Sequence, residues 1–222
     1  MIYDFIEIGT CDSWYTLISS ADNLTRGISV EPMKIYLDRL PLKALVTKVN
    51  AALVDDETIE NIDTYYITEE DINKYDLGGG LKGCNRVGRP HDLHTTFPGK
   101  LGVQAWHDNP DRSTLQTRNL VEEGLVKRSV VPCLTFKKLV EKFDVEYVKQ
   151  IKIDTEGMDC QLMNSILNYY EQHPDAKMPK RFQFESNAHN KREDVDFVCD
   201  RLEKFGYTFE QRTYNDDCVA VK

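Results

Sequence analysis

The stretch QIKIDTEGMDCQLM, residues 150–163, joins a short strand to the start of a helix and decides the fold. Its two isoleucines alternate with Lys152 and Asp154, which is the period of a β-strand. A strand inside a parallel sheet is covered on both faces and is normally apolar throughout. A lysine and acids at the end of such a strand therefore indicate either a functional edge of the sheet or an ion-pair network.

Outward from this stretch, strand-like and helix-like segments alternate, which is typical of an α/β sandwich around a mostly parallel sheet. A short strand leading into a helix is predicted at 130–143, and a later helix is predicted to end at Gly206. Residues 207–222 carry turn residues in their middle and are predicted to close the sheet as an antiparallel hairpin. The sheet strands are predicted at residues 3–9, 26–32, 43–53, 147–154 and 180–186.

Residues 68–127 do not follow this alternation. They are dense in glycine and proline and hold three of the five histidines. Long loops inside a compact domain are usually functional or disordered, so we expect a lid or substrate-side insertion between strands three and four of a single domain, 1–222. Strand one begins so near Met1 that no leading helix fits, which suggests a domain excised from a longer polypeptide.

Composition narrows the class of protein. The net charge of -9 argues against a nucleic-acid partner, because phosphate binding usually leaves a basic footprint. No apolar run approaches the roughly 20 residues of a membrane-spanning helix, and the first ten residues lack the features of a signal peptide. The six cysteines form no C-x-x-C pair, which indicates reduced thiols in a cytoplasmic compartment and argues against a zinc site.

A ligand of an open parallel sheet binds beyond the carboxyl ends of the strands, beside strand one. The G-x-G-x-x-G at 78–83 neither follows a strand nor opens a helix, so it is not a dinucleotide fingerprint. The turn after strand one, EIGTCDS, has a single glycine and would hold a diphosphate poorly, but it offers backbone N–H groups and short polar side chains. Its candidate cofactor contacts are Glu7, Gly9, Thr10, Cys11, Asp12 and Ser13.

Strand two ends at Glu31, where an acid can accept hydrogen bonds from both ribose hydroxyls of a nucleotide. A one-glycine turn together with a ribose acid suits a nucleoside without phosphates. S-adenosylmethionine is such a ligand, and its positive charges favour acidic surroundings such as Glu7 and Asp12. The alternative is that Glu31 only caps the following helix.

Four segments, FIEIGTCDS, ISVEP, VNAAL and IKIDTEGMD, resemble in this order the FkbM-type family of S-adenosylmethionine-dependent methyltransferases. The resemblance implies a class I methyltransferase (Rossmann-like) fold and methyl transfer to oxygen, often a sugar hydroxyl. It also implies Asn50 and Ala51 as cofactor contacts. The sequence departs from the family pattern at Glu7, where aspartate is usual, at Cys11 in place of asparagine, and at Ser13 in place of a second glycine.

Methyl transfer to a hydroxyl requires alignment of the acceptor oxygen and removal of its proton by a base or a metal. Asp154 ends strand four, and Glu185 ends strand five, its neighbour in a class I sheet. Two adjacent carboxylates share a proton or hold a cation. We favour the metal-free route, because hard cations prefer more oxygen ligands than two; the metal ligands of the alternative route stay unknown.

Lys152 needs an anionic partner inside a buried strand, and Glu156 or Glu185 could provide it. His189, just past strand five, is a further candidate base. The predicted catalytic residues are therefore Asp154, Glu185, Lys152 and His189, with Asp154 also counted as a cofactor contact. His91, His94 and His107 of the insertion could fold over the acceptor. The structural alternative is that the charges at 152–156 form an ion-pair network that caps the helix.

The predicted acceptor is a carbohydrate or glycoside, and a glycosyltransferase is the predicted working or fused partner. Two other functions stay open on the sequence. One is a nicotinamide-dependent oxidoreductase, which the missing phosphate turn disfavours. The other is a binding module that kept the fold and the cofactor but lost activity, which the departures at Cys11 and Ser13 support.

Overall fold

The structure is a computed structural model of the chain and describes residues 1–10, 16–68, 70, 74, 124, 126–155, 157–186, 190–214 and 216–222. They form two compact units, one of Met1–Glu60 with Cys133–Lys222 and one of Asn61–Pro132. The strands are β1 (Ile2–Ile8), β2 (Gly27–Val30), β3 (Val46–Val49), β4 (Ala52–Leu53), β5 (Asn61–Ile67), β6 (Val126–Leu134), β7 (Tyr147–Ile153), β8 (Arg181–Glu185), β9 (Thr208–Gln211) and β10 (Asp217–Val221). The helices are α1 (Leu17–Ser20), α2 (Lys34–Arg39), α3 (Phe136–Lys142), α4 (Asp159–Gln172) and α5 (Arg192–Lys204).

The first unit is built on a seven-stranded sheet with the order β3-β2-β1-β7-β8-β10-β9. The pairs from β3 to β8 are all parallel, whereas β10 runs antiparallel to both β8 and β9. The predicted mixed α/β fold, with a mostly parallel sheet and a C-terminal antiparallel hairpin, is thereby confirmed. The chain leaves β1 toward β2 on one side and reaches β7 on the other, so the order of strands reverses between β1 and β7.

Apolar residues bury this sheet under helices. The main cluster joins residues of the central strands, such as Ile6, Ile151 and Phe182, to α3, α4 and α5. A separate cluster joins Phe5 to α1 and α2. The Phe5 ring lies over Gly27, its partner in the β1–β2 register, so closely that a Cβ there would come within 2.2 Å of the ring. A sheet that helices cover on both faces has a separate apolar cluster on each face.

The predicted third strand, 43–53, is wrong as a single element. The structure ends β3 at Val49, and β4 pairs in parallel with the last two residues of β6 instead. The break lies at Asn50, whose side-chain amide donates to the carbonyls of Glu31 (3.0 Å) and Pro32 (2.8 Å). The next backbone amide, that of Ala51, turns back to the Val49 carbonyl. These bonds replace the ladder that would have continued the strand.

A pair of strands flanks the expected insertion, residues 68–127. In the second unit β5 pairs antiparallel with β6, from Asn61 opposite Pro132 to Ile67 opposite Val126. β5 was not predicted, and β6 begins earlier than predicted, since residues up to 127 were assigned to the insertion. The G-x-G-x-x-G at 78–83 and the candidates His91, His94 and His107 lie outside the described residues.

Candidate functional site

The carboxyl ends of four strands are tied together by main-chain hydrogen bonds that continue past the strands themselves. The Gly9 amide donates to the Val30 carbonyl (2.9 Å), and the Glu31 amide donates to the Val49 carbonyl (3.0 Å). The Asp154 amide donates to the Ile8 carbonyl (2.9 Å). The turns after β1, β2, β3 and β7 therefore meet at one edge, which we call the carboxyl edge. It includes the reversal point between β1 and β7, as the sequence predicted.

Gly9 allows the closest of these approaches. Its φ of +78° is in the left-handed region, and a Cβ there would lie 1.9 Å from the Asp154 carbonyl oxygen. Only glycine avoids both the positive-φ cost and this overlap with backbone. Gly9 thus sets the spacing between the turn after β1 and the end of β7.

Gly9→Ala should lower the free energy of unfolding by more than the roughly 1–2 kcal/mol that left-handed backbone alone costs an alanine. The matched control is Gly206→Ala, because Gly206 also has a positive φ (85°) but a Cβ there would meet only the Lys222 side chain, at 3.7 Å. Urea denaturation of both variants measures the difference. Equal losses in the two variants would show that the contact with Asp154 does not restrict the turn.

Glu7 is fully buried on β1, directly opposite Lys152 on β7. Both of its carboxylate oxygens accept from the Leu17 amide at 2.9 Å, which anchors the start of α1. The Lys152 ammonium lies 3.3 Å from Glu7 Oε1 and 3.8 Å from Asp154 Oδ2. Burial raises the pKa of the Glu7 carboxyl, while the Lys152 charge and the Leu17 amide oppose that rise.

These contacts revise the predicted roles of two residues. The predicted partners of Lys152 were Glu156 and Glu185, whereas the partner on the neighbouring strand is Glu7. Glu7 has no exposed surface and is held by an amide and an ammonium, so it positions α1 and Lys152. Its predicted contact with the cofactor stays a prediction. The ion-pair alternative for Lys152 is thus part of the structure, and it includes Asp154.

Glu31 lies immediately after β2 and is 4% exposed. Its Oε1 accepts from the Met33 amide (2.8 Å), and Met33 is the N-cap residue of α2. The capping role considered for Glu31 is therefore present. This cap fixes the Glu31 side chain at the carboxyl edge.

Asp154 and Glu185 lie at neighbouring positions at the ends of two adjacent strands. The β7–β8 register pairs Ile153 with Phe184, which makes Asp154 and Glu185 the next positions on neighbouring strands. The Asp154 side chain keeps 39% of its surface exposed, in contrast to its neighbour Lys152. A third acid, Asp217, stands opposite Glu185 in the β8–β10 register, and sequence reasoning had not connected it with this edge.

Asp159 organises the turn between β7 and α4 and was also missed. It is fully buried; Oδ1 accepts from the Thr155 amide and Oδ2 from the Gly157 amide, both at 3.0 Å. The Asn190 side-chain amide lies 3.5 Å from Asp159 Oδ2 and donates to the Glu185 carbonyl at 3.1 Å. Burial raises the pKa of the Asp159 carboxyl. The available signal was an acid in the first helical turn, close behind a glycine.

The family model described as the methyltransferase FkbM domain matches residues 7–209 of the chain. The chain belongs to this family. It is accordingly a methyltransferase, and S-adenosylmethionine is the usual cofactor of such enzymes. A comparison with curated proteins found no match, and neither did a comparison with solved structures.

The span matched by the FkbM domain includes the whole carboxyl edge, from Glu7 to Glu185. Thr10 in its first turn is 2% exposed, and no partner for the Thr10 hydroxyl is present among the described residues. Ala51 is buried beside Asn50. The predicted site residues Cys11, Asp12, Ser13 and His189, together with Glu156, lie outside the described residues.

The described part of the FkbM chain has neither a metal-binding cluster nor a membrane-spanning helix. Within it, no group of three or more histidine, cysteine, aspartate or glutamate side chains is arranged to hold a metal ion. No helix in that part combines the length and the apolar character needed to cross a bilayer.

Proposed function

We propose that this methyltransferase transfers the methyl group of S-adenosylmethionine to a hydroxyl oxygen of a carbohydrate or glycoside. The observation that carries the proposal is the carboxyl edge, where Glu31 follows β2 on one side of β1, and Asp154 and Glu185 lie at the ends of β7 and β8 on the other side. Binding the ribose and accepting the hydroxyl proton are two tasks in such a transfer that carboxylates can perform.

The chain's own residues fit the nucleoside half of this cofactor. The Glu31 carboxylate is fixed at the end of β2 by the Met33 amide, and Asn50 holds the backbone of Glu31 and Pro32 in place. Gly9 brings the turn after β1 against Asp154. When bound, the cofactor supplies a methyl group on a positively charged sulfur, and the protein's task is to align the acceptor oxygen with it.

We assign Asp154 as the base that takes the proton of the acceptor hydroxyl. Its side chain is the more exposed member of the Lys152–Asp154 pair and stands beside Glu185 at the edge. Lys152, held by Glu7 from the far side, fixes a positive charge near the Asp154 carboxylate. A carboxylate held in this way can take a hydroxyl proton when the acceptor oxygen lies within hydrogen-bond distance. This route needs no metal, although a divalent metal remains the competing form of the proposal.

Incubation of the protein with radiolabelled S-adenosylmethionine and a panel of sugars and glycosides tests the function. Label should pass to a hydroxylated acceptor, and the Asp154→Asn variant serves as the matched inactive control. Cofactor binding without transfer to any acceptor would favour the inactive binding module instead. A glycoside acceptor would also place the enzyme after a glycosyltransferase. The described cysteines, Cys133, Cys160, Cys199 and Cys218, are free thiols, which supports our assignment of the reaction to a cytoplasmic compartment.

Glu31→Ala should weaken binding of S-adenosylhomocysteine by about 1.5–3 kcal/mol, the scale of hydrogen bonds to a charged group. Titration calorimetry measures the loss. Because Glu31 also caps α2, the paired control is Met33→Pro, which removes the capped amide but keeps the acid. Loss of affinity in Glu31→Ala with near-normal affinity in Met33→Pro supports ribose binding. Unchanged affinity in Glu31→Ala would leave Glu31 as a cap alone.

A further inference from the structure

A second concave site lies at the opposite end of the sheet from the carboxyl edge. Its wall includes Tyr147, the first residue of β7, and the connection between α4 and β8. The wall also includes Phe205, the C-cap residue of α5, and Lys222, which follows β10. The cavity measures about 640 Å³, which is within the size range of small-molecule sites.

The cavity gathers positive charge on a chain whose net charge is -9. Lys177, Lys180 and Lys222 line it. The acid among its described lining residues, Glu171, is balanced by Arg201, whose guanidinium lies 2.9 Å from the carboxylate. The local field therefore favours an anion.

Two of these lysines are exposed, and the ammonium of each also contacts a neighbouring residue of the cavity wall. The Lys177 ammonium lies 4.6 Å from the centre of the Tyr147 ring, a cation–π distance. The Lys222 ammonium donates to the Phe205 carbonyl at 2.7 Å. Each keeps further donors for a ligand, since an ammonium has three, and prior placement reduces the entropy lost on binding.

The rest of the wall is apolar and aromatic. Tyr170 is 7% exposed and packs edge-to-face with Tyr169, while Phe205 and Met178 are partly buried against the core. Apolar walls with a few convergent charged groups are the usual composition of a small-molecule site. We propose that this cavity binds a small organic anion that carries an aromatic or apolar group, with its carboxylate or phosphate directed to Lys177 and Lys222.

Phenyl phosphate is the probe, with phenol and inorganic phosphate as its two halves. Chemical-shift titration of the whole protein should give saturable binding of phenyl phosphate, with a dissociation constant of about 1 mM or below. Each half should bind more weakly. The Lys177→Ala/Lys222→Ala variant should lose about tenfold in affinity, and Lys137→Ala, an exposed lysine of α3, should lose nothing.

Because Lys222 also holds the end of α5, Lys177→Ala alone is measured as well, with thermal unfolding as the check on folding. Lysine-independent binding of phenol would overturn the proposal by reducing the site to an apolar cleft. Inorganic phosphate binding as tightly as phenyl phosphate would overturn the requirement for an apolar group, and unsaturable titration would overturn the site. Displacement of the probe by S-adenosylhomocysteine would place the probe at the carboxyl edge and would also overturn the proposal. Binding of the probe that is independent of S-adenosylhomocysteine supports the proposal, whatever substrate the enzyme methylates.

Discussion

Asp154→Asn is expected to lower the turnover number by about two to four orders of magnitude, the usual contribution of a general base. Affinity for S-adenosylhomocysteine should change little. The amide keeps the shape of the side chain and its place beside Lys152, but it cannot take the acceptor proton and lacks the negative charge that favours a bound cation. Steady-state kinetics with labelled cofactor measure the turnover number, and calorimetry measures the affinity. Asp175→Asn, an exposed aspartate in the α4–β8 connection, is the matched control and should be fully active.

Treatment with a chelator distinguishes a mechanism with a side-chain base from a mechanism with a bound metal. With a side-chain base, removal of divalent metals leaves the rate unchanged, and the rate rises with pH as the base titrates. With a bound metal, the chelator abolishes activity and magnesium or manganese restores it. Glu185→Gln then reports whether the neighbouring carboxylate shares the task. Full activity of Asp154→Asn would contradict both forms and leave the charges at 152–154 as a structural network.

The elements predicted best from the sequence were those whose signal is local. The alternation of Ile151 and Ile153 with polar residues marks β7, and the glycine after the last helix marks the end of α5 at Gly206, where φ is +85°. The adjacency of Asp154 and Glu185 followed from the strand order of the class I sheet that the family resemblance implied, and it is matched by the β7–β8 register. Local periodicity was sufficient for β7 and for the end of the last helix, whereas the adjacency also needed the resemblance.

The features that sequence reasoning missed depend on contacts between distant residues. The break between β3 and β4 rests on Asn50 bonding to carbonyls 18 and 19 residues earlier in the chain. Glu7 and Lys152 are 145 residues apart in the chain. The β1–β7 register places them opposite each other, and the residue pattern of neither strand predicts that register. Asp159 stands in the first turn of α4, which is a local signal, but its contact with Asn190 joins residues 31 positions apart in the chain.

Lys152→Met should lower the free energy of unfolding by about 3–5 kcal/mol, the cost of removing one member of a buried ion pair. The variant leaves Glu7 with no exposed surface and without its opposite charge, while the Leu17 amide still holds it. Urea denaturation measures the loss. The matched control is Lys149→Met on the same strand, because Lys149 pairs with Asp4 of β1 at 2.6 Å but is 56% exposed. An exposed pair of that kind contributes about 0–1 kcal/mol.

A second substitution and a change of pH identify the cause of that loss. Glu7→Gln/Lys152→Met should recover most of the stability, since glutamine still accepts from the Leu17 amide and buries no charge.

Burial raises the pKa of Glu7 in the folded protein, so between that pKa and its unfolded value the native state binds more protons than the unfolded state. Stability contributed by Glu7 therefore increases as pH falls through the raised pKa. Without Lys152 this pKa should rise further, and the deficit of Lys152→Met should shrink on acidification. A deficit that is independent of pH, or equal to that of Lys149→Met, would mean that Lys152 acts through packing of its side chain and that the Glu7 charge is not what it holds.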